Sequence, residues 1–171
     1  ELWGKRREEI REILQEECYG RMPRTGWETE WETVKEDKNA FGGKAVLRTV
    51  EVRIHTNSRY TSYPFQLVLP KNVQKPPVFV YLTFLPLSSD ELMEEITDSG
   101  YAVARVSYQD IAPDQGDGYT NGPGVLFPGN AFDGWGKLAV WAWSASRIMD
   151  YLVDLEEIDG KRIAVAGHSR L

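Results

Sequence analysis

The order of apolar and polar positions divides the chain into segments of different period. Leu2, Trp3, Ile10, Ile13, Leu14 and Cys18 fall near helical spacing with charged residues between them, and Gly20 with Pro23 supplies a stop. This predicts a surface helix. Polar and aromatic residues alternate from Trp27 to Trp31. After Gly42-Gly43, Val46, Arg48, Val50, Val52 and Ile54 alternate with partners of the opposite face across residues 45–55. These segments predict exposed antiparallel strands. Phe65-Gln66-Leu67-Val68-Leu69 continues the sheet as a hairpin-like partner, and the proline-bounded stretch 70–77 is a connection.

The pattern then changes. Residues 78–84 (Val78-Phe79-Val80-Tyr81-Leu82-Thr83-Phe84) and 102–106 (Ala102-Val103-Ala104-Arg105-Val106) are nearly continuous apolar runs, as in strands covered on both faces. A helix is predicted between them: Ser88 and Glu91 have capping-box spacing, Leu92, Met93 and Ile96 form an apolar face, and Gly100 sits where a C-terminal cap is wanted. Strand, helix, strand implies a parallel crossover. Leu138, Trp141, Ala145, Ile148 and Leu152, spaced three, four, three and four, form one stripe of a second helix, with Trp141 in the core and Trp143 off the stripe, toward a second layer. Arg162-Ile163-Ala164-Val165-Ala166 then reads as another buried strand. The plan is α/β: antiparallel strands leading into a parallel βαβαβ core, with no internal repeat and no break marking a second domain.

Composition narrows the classes. Among 171 residues, 20 Lys plus Arg stand against 26 Asp plus Glu, a net charge of −6. That disfavours nucleic-acid binding, which needs a basic surface to displace counterions, and the one basic cluster, Lys5-Arg6-Arg7, runs straight into Glu8-Glu9. With 42% hydrophobic residues the chain can bury a core. Cys18 is the single cysteine, which excludes an internal disulfide and a multi-cysteine metal site, and it is expected as a small buried apolar residue. No apolar run approaches the roughly 20 residues of a membrane span, and no signal-peptide pattern opens the chain, so the reading leans to the cytoplasm, with a secreted or periplasmic parent as the alternative. The first residue is Glu1, which leaves a processed or trimmed start open.

The chemistry lies at the far end. The last predicted strand runs into Gly167-His168-Ser169-Arg170-Leu171, and a Gly-x-Ser at the C-terminal edge of a parallel strand is the position of a nucleophile elbow, with an ordinary strand-to-loop junction as the other reading. In an elbow the turn strains the serine backbone and lifts its hydroxyl above the sheet, Gly167 leaves space where a Cβ would strike the neighbouring strand, and nearby backbone N–H groups stabilise an oxyanion. The usual second glycine is replaced by Leu171. Arg170 would hold permanent positive charge beside the attacked carbonyl, or else pair with a carboxylate as a structural arginine. After the strand ending at Phe84, Leu85 is a candidate backbone oxyanion donor, because Pro86 has no N–H.

Gly167-His168-Ser169-Arg170-Leu171 resembles the Gly-x-Ser-Arg-x-Gly elbow of the glucuronoyl esterases and their bacterial relatives, often labelled acetylxylan esterases, within the α/β-hydrolase superfamily. Tyr108-Gln109-Asp110-Ile111-Ala112-Pro113-Asp114, Asp133-Gly134-Trp135-Gly136, the helix Trp141-Ala142-Trp143-Ser144-Ala145-Ser146-Arg147, Asp150-Tyr151-Leu152, Ile158-Asp159 and Tyr19-Gly20-Arg21-Met22-Pro23 resemble the same family in the same order. The resemblance implies an α/β-hydrolase three-layer sandwich that hydrolyses carbohydrate esters of acetylxylan or glucuronoyl type without a cofactor. Ser169 would be the nucleophile and Arg170 would help to stabilise the oxyanion. The family's next glycine and lysine, its acidic triad member and its catalytic histidine would lie beyond Leu171.

Of the two histidines, His168 precedes the serine and should point away from its hydroxyl, and His55 ends an early strand far from the elbow, so both read as structural. A complete triad is absent by counting. Residues 1–171 are therefore expected to be the N-terminal part of a single α/β-hydrolase domain, truncated at the elbow and inactive alone. Such a piece would pair with its own missing C-terminal half or self-associate. The long loop 116–136 is placed to shape the substrate site, where Tyr119, Phe127 and Trp135 could stack on a sugar or serve instead as loop anchors. Asp110, Asp114 and Asp117 cluster in that region, but their spacing is not that of an EF-hand, so no metal is expected. Two other functions stay open: a non-catalytic interaction module with a partner chain, and a peptidase or dienelactone-type hydrolase on the same fold.

Overall fold

Alternating and continuous apolar segments join in one mixed sheet in the computed structural model, which describes residues 2–88, 92–116, 121–127 and 134–171. The strands are β1 (Glu28–Asn39), β2 (Ala45–His55), β3 (Tyr60–Pro70), β4 (Val78–Thr83), β5 (Ala102–Ser107) and β6 (Ile163–Ala166), in the spatial order β1-β2-β3-β5-β4-β6. β1, β2 and β3 form an antiparallel meander, with Val50 opposite both Thr33 and Phe65. β3 pairs antiparallel with β5 over the short stretch Gln66 to Val68, and β4 lies parallel to both β5 and β6. The helices are α1 (Leu2–Leu14), the short turn α2 (Ala40–Gly43), α3 (Met93–Asp98), α4 (Tyr108–Ile111) and α5 (Lys137–Val153).

Strand periodicity sorts the core into two layers. Val50, Val52, Ile54, Phe65, Leu67, Val78, Val80, Leu82, Ala104 and Val106 face α5, which answers with Trp141, Trp143, Ala145, Ile148 and Leu152. Val68 and Val103 face the other way, where Met93 of α3 covers them together with Ala40 and Ala45. This is the three-layer α/β-hydrolase sandwich that the family resemblance implies. Each fully buried Leu or Ile of the α5 stripe contributes about 1.5–3 kcal/mol. Inside the core the Tyr63 hydroxyl donates to the Ser144 carbonyl at 2.8 Å, and burial pushes that phenol's pKa well above its ordinary value.

Several expectations are corrected. β2 is not exposed, because β1 and β3 flank it and Val50, Val52 and Ile54 are fully buried; β1 alone is largely open to solvent. β6 is not a buried strand: among the described residues β4 is its only neighbour, and Val165 is 64% exposed. Leu138, though on the α5 stripe, is exposed because it projects beside that open edge. The helix before β5 begins only at Met93; Leu92 is left-handed (φ 59°) and exposed, whereas Met93 and Thr97 are buried. Glu91 of the expected capping box lies outside the described residues. Gly100 does cap that helix, at φ 87°, with its N–H on the Thr97 carbonyl.

At the start of the chain α1 buries no residue, and a π-helical turn, Gln15–Tyr19, follows it. Cys18 lies in this turn and is exposed, contrary to its expected burial. Gly20 then comes so close to Gly134 and Trp135 that an added Cβ would stand 2.4 Å from the Trp135 Cα. Two segments distant in sequence are thus locked together, with the Gly136 N–H donating to the Tyr19 carbonyl at 2.8 Å.

Candidate active site

Elementary topology brings the candidate residues to one edge. β4 connects through α3 to β5 on one side of itself, and the chain then crosses through α5 to β6 on the other, so the C-terminal ends of β4, β5 and β6 flank a topological switch point. Phe84 leaves β4, Tyr108 leaves β5, and the elbow leaves β6 within this crevice.

The elbow is formed. Ser169 has a φ of 59°, a left-handed conformation unusual for a residue with a side chain, and it is exposed. The Leu171 N–H donates to the His168 carbonyl at 3.1 Å and closes the turn around the serine. Gly167 is required, for a reason different from the expected one. A Cβ there would stand 2.4 Å from the Leu171 carbonyl oxygen, so the obstacle is the turn folding back on itself and not the neighbouring strand.

Arg170 reaches back over the edge of the sheet. Its guanidinium carbon sits 5.1 Å from the Phe84 ring centroid and 5.8 Å from that of Tyr108, within cation–π range. Its Nε lies 3.2 Å from Asp114 Oδ2. The carboxylate partner considered from sequence is therefore present, yet the guanidinium stays half-exposed and its two Nη groups have no acceptor among the described residues. The Arg170 backbone N–H has none either. The residue next to Ser169 in sequence therefore presents a main-chain donor without an acceptor and a cationic side chain that lies over Phe84 and Tyr108.

Other expected residues fare differently. The Leu85 N–H is engaged by Thr83 Oγ1 at 3.1 Å, so it is not a free oxyanion donor here; the short turn after β4 folds it onto the threonine. Trp135 is only 4% exposed and stacks edge-on with Phe127 and Trp143, so it anchors the loop and offers no face to a sugar. Trp143 belongs to the same aromatic packet, where the Arg147 guanidinium sits 4.8 Å from its ring centroid and 5.1 Å from that of Trp27. Tyr119 and Asp117 lie outside the described residues. His168 is exposed and its imidazole makes no hydrogen bond among the described residues. His55 accompanies Glu28 at 3.2 Å and stands four strand positions from β6, roughly 19 Å at ordinary strand spacing, so it cannot reach Ser169. Among the described residues, no group of three or more His, Cys, Asp or Glu side chains could hold a metal.

Residues not singled out as site components complete the frame. Trp141 donates its indole N–H to the Ala112 carbonyl at 2.8 Å and meets the Tyr108 ring edge-on at 5.2 Å, which ties the Asp114 loop to α5. Arg105, 1% exposed, donates to the Leu87 carbonyl at 2.6 Å and to Gln66 Oε1 at 3.0 Å, and so holds the loop after β4. A charged residue inside an otherwise apolar strand was the available signal for Arg105. Beside the elbow an open apolar groove of about 240 Å³ runs between α5 and β6, bordered by Leu82, Trp141, Met149, Val165 and Leu171.

The profile of the family described as "Glucuronyl esterase, fungi" matches residues 52–171, which includes every strand from β4 onward and the elbow. The chain belongs to the glucuronyl esterase family. A carbohydrate esterase, MZ0003, from an unknown prokaryotic organism is 25% identical over 98% of this chain and 48% of its own length. Among solved structures, a glucuronoyl esterase from Solibacter usitatus superposes with a TM-score of 0.82 at 30% identity, over 97% of this chain and 52% of that one. The CE15 glucuronoyl esterase from Teredinibacter turnerae T7901 gives 0.76 at 25%, over 98% and 46%. The chain thus spans about half the length of the relatives it matches. No described helix is long and apolar enough to cross a membrane.

Proposed function

We propose that this glucuronyl esterase family chain supplies the nucleophile-bearing, N-terminal part of one hydrolase domain that cleaves carbohydrate esters, of glucuronoyl type, through an acyl-enzyme at Ser169. The observation that carries the reading is Ser169 held at φ 59° on the exposed edge of the parallel sheet, followed in sequence by the half-exposed Arg170. The names of the relatives, glucuronoyl esterases and a carbohydrate esterase, support the substrate class.

In this reading Ser169 Oγ attacks the ester carbonyl carbon. The carbonyl π electrons move to oxygen, which the Arg170 N–H and guanidinium stabilise, and collapse expels the alcohol and leaves a Ser169 ester. Water then attacks that ester, releasing the carboxylic acid and restoring the hydroxyl. A base must take the serine proton and return it to the leaving alcohol. Neither His55, paired with Glu28, nor His168, whose neighbouring position in the turn gives it no hydrogen bond to the serine, serves here, so the base and its acidic partner belong to the part of the domain that the relatives' greater length implies.

The test is a fluorophosphonate serine probe with peptide mapping on the protein expressed from its full reading frame, alongside hydrolysis of a methyl glucuronate ester and of an acetylated xyloside. Labelling confined to Ser169, with faster turnover of the glucuronate ester, is expected. An unlabelled Ser169 in a folded full-length protein overturns the proposal, and preferential turnover of the acetyl ester overturns the glucuronoyl assignment.

A further inference from the structure

Arg170 is useful to an oxyanion only if its guanidinium is aimed before the substrate arrives, and a free arginine side chain has rotamer freedom to lose. Three groups from two other strand ends restrain it. Phe84 and Tyr108 meet edge-on with centroids 5.5 Å apart and lie beneath the guanidinium, while Asp114 Oδ2 stands 3.2 Å from Nε. The ion pair uses the inner nitrogen and leaves the Nη groups, which project furthest, without acceptors among the described residues. Asp114 itself is not on a loose loop. The carbonyl of Ala112, two residues earlier, accepts the Trp141 indole N–H, and the Ala112 N–H returns to the Tyr108 carbonyl at 2.9 Å.

We propose that Asp114 is a positioning residue for the esterase reaction: it holds Arg170 by its Nε against the Phe84–Tyr108 pair, so that the Nη donors face the substrate carbonyl at Ser169. The assignment rests on the function proposed above. It also gives the exposed ion pair a role other than stability. A half-exposed pair of this kind contributes little to folding, so its deletion should change catalysis much more than the melting temperature. The carboxylate forms no bond to substrate and takes no proton. It acts only through the arginine.

The experiment is a double-mutant cycle in the full-length protein, with kcat and KM measured separately on a methyl glucuronate ester. Asp114→Ala is expected to lower kcat about tenfold or more with KM little changed, because the lost aim affects the developing oxyanion and not ground-state binding. Asp114→Asn, of the same size, reports the charge with the loop shape kept, and Asp114→Glu should recover part of the loss. In an Arg170→Ala background, Asp114→Ala should cost nothing further. Equal losses in both backgrounds, or a kcat within twofold of the parent for Asp114→Ala while Arg170→Ala is severely impaired, overturn the inference and leave the esterase reading intact. A folded parent that hydrolyses no ester and takes no serine probe overturns the esterase reading and this inference with it.

Discussion

Gly167→Ala is the sharpest test of the elbow geometry. The new methyl carbon would lie 2.4 Å from the Leu171 carbonyl oxygen and 2.5 Å from its carbon. Ordinary contact between such atoms is about 3.5 Å, so the turn must open by about 1 Å. Both obstructing atoms are backbone, and no side-chain rotation relieves the contact. The hydrogen bond from the Leu171 N–H to the His168 carbonyl spans the same turn and would lengthen with it, carrying Ser169 out of place. A displacement of 1 Å at a reacting centre costs on the order of 100-fold in rate. Global stability should move far less, because the elbow is exposed and adds few atoms to either core layer. The assay is the second-order rate of fluorophosphonate labelling at Ser169 in the full-length protein, with urea unfolding followed on the same samples. A Gly167→Ala protein that labels within threefold of the parent rate would show that the turn closes without the steric restriction described here.

Three further substitutions probe the frame. Trp141→Phe removes the indole N–H from the buried Ala112 carbonyl and should lower stability by about 1–3 kcal/mol in urea titrations; a change below 0.5 kcal/mol would mean that the bond is not made in solution. Gly122→Ala would set a Cβ 1.9 Å from the Ile111 carbonyl oxygen at a φ of +60°, so a fall of several degrees in melting temperature is expected, and an unchanged value refutes the packing of that loop. The Asp110 carboxyl is raised above its ordinary pKa, first by partial burial and then by the Glu51 charge. A raised acid binds its proton more tightly folded than unfolded, so this group adds stability as the pH falls through its folded pKa toward the unfolded value near 3.8 and detracts from it above. Asp110→Asn should remove that acid-side gain in denaturation curves between pH 6 and pH 4, and identical pH slopes for both proteins would contradict the assignment.

Much of this protein could be read from local pattern. A period of two in residues 45–55, unbroken apolar runs in 78–84 and 102–106, and the three-four repeat of the α5 stripe each follow from what one element must bury, and they led to the correct strands, helices and sheet type. Gly167-His168-Ser169 at a strand end was legible for the same reason, since the strained turn is local and the strand before it announces its place. Contacts between distant segments were not legible. Cys18 fits a buried position on a helical pattern, but in the fold it is exposed. Val165 and Leu138 looked like core by residue type, yet burial is decided by neighbours, and the open flank of β6 has none among the described residues. Trp135 seemed available to a sugar until the fold closed Phe127 and Trp143 around it. Asp114 read as one loop aspartate among three, and only the approach of the β4, β5 and β6 ends set it beside Arg170, across 56 residues of intervening chain position. Periodicity is written along the chain because hydrogen-bonded elements are local, whereas a side chain's charge partner and exposure belong to whichever segments the topology brings next to it.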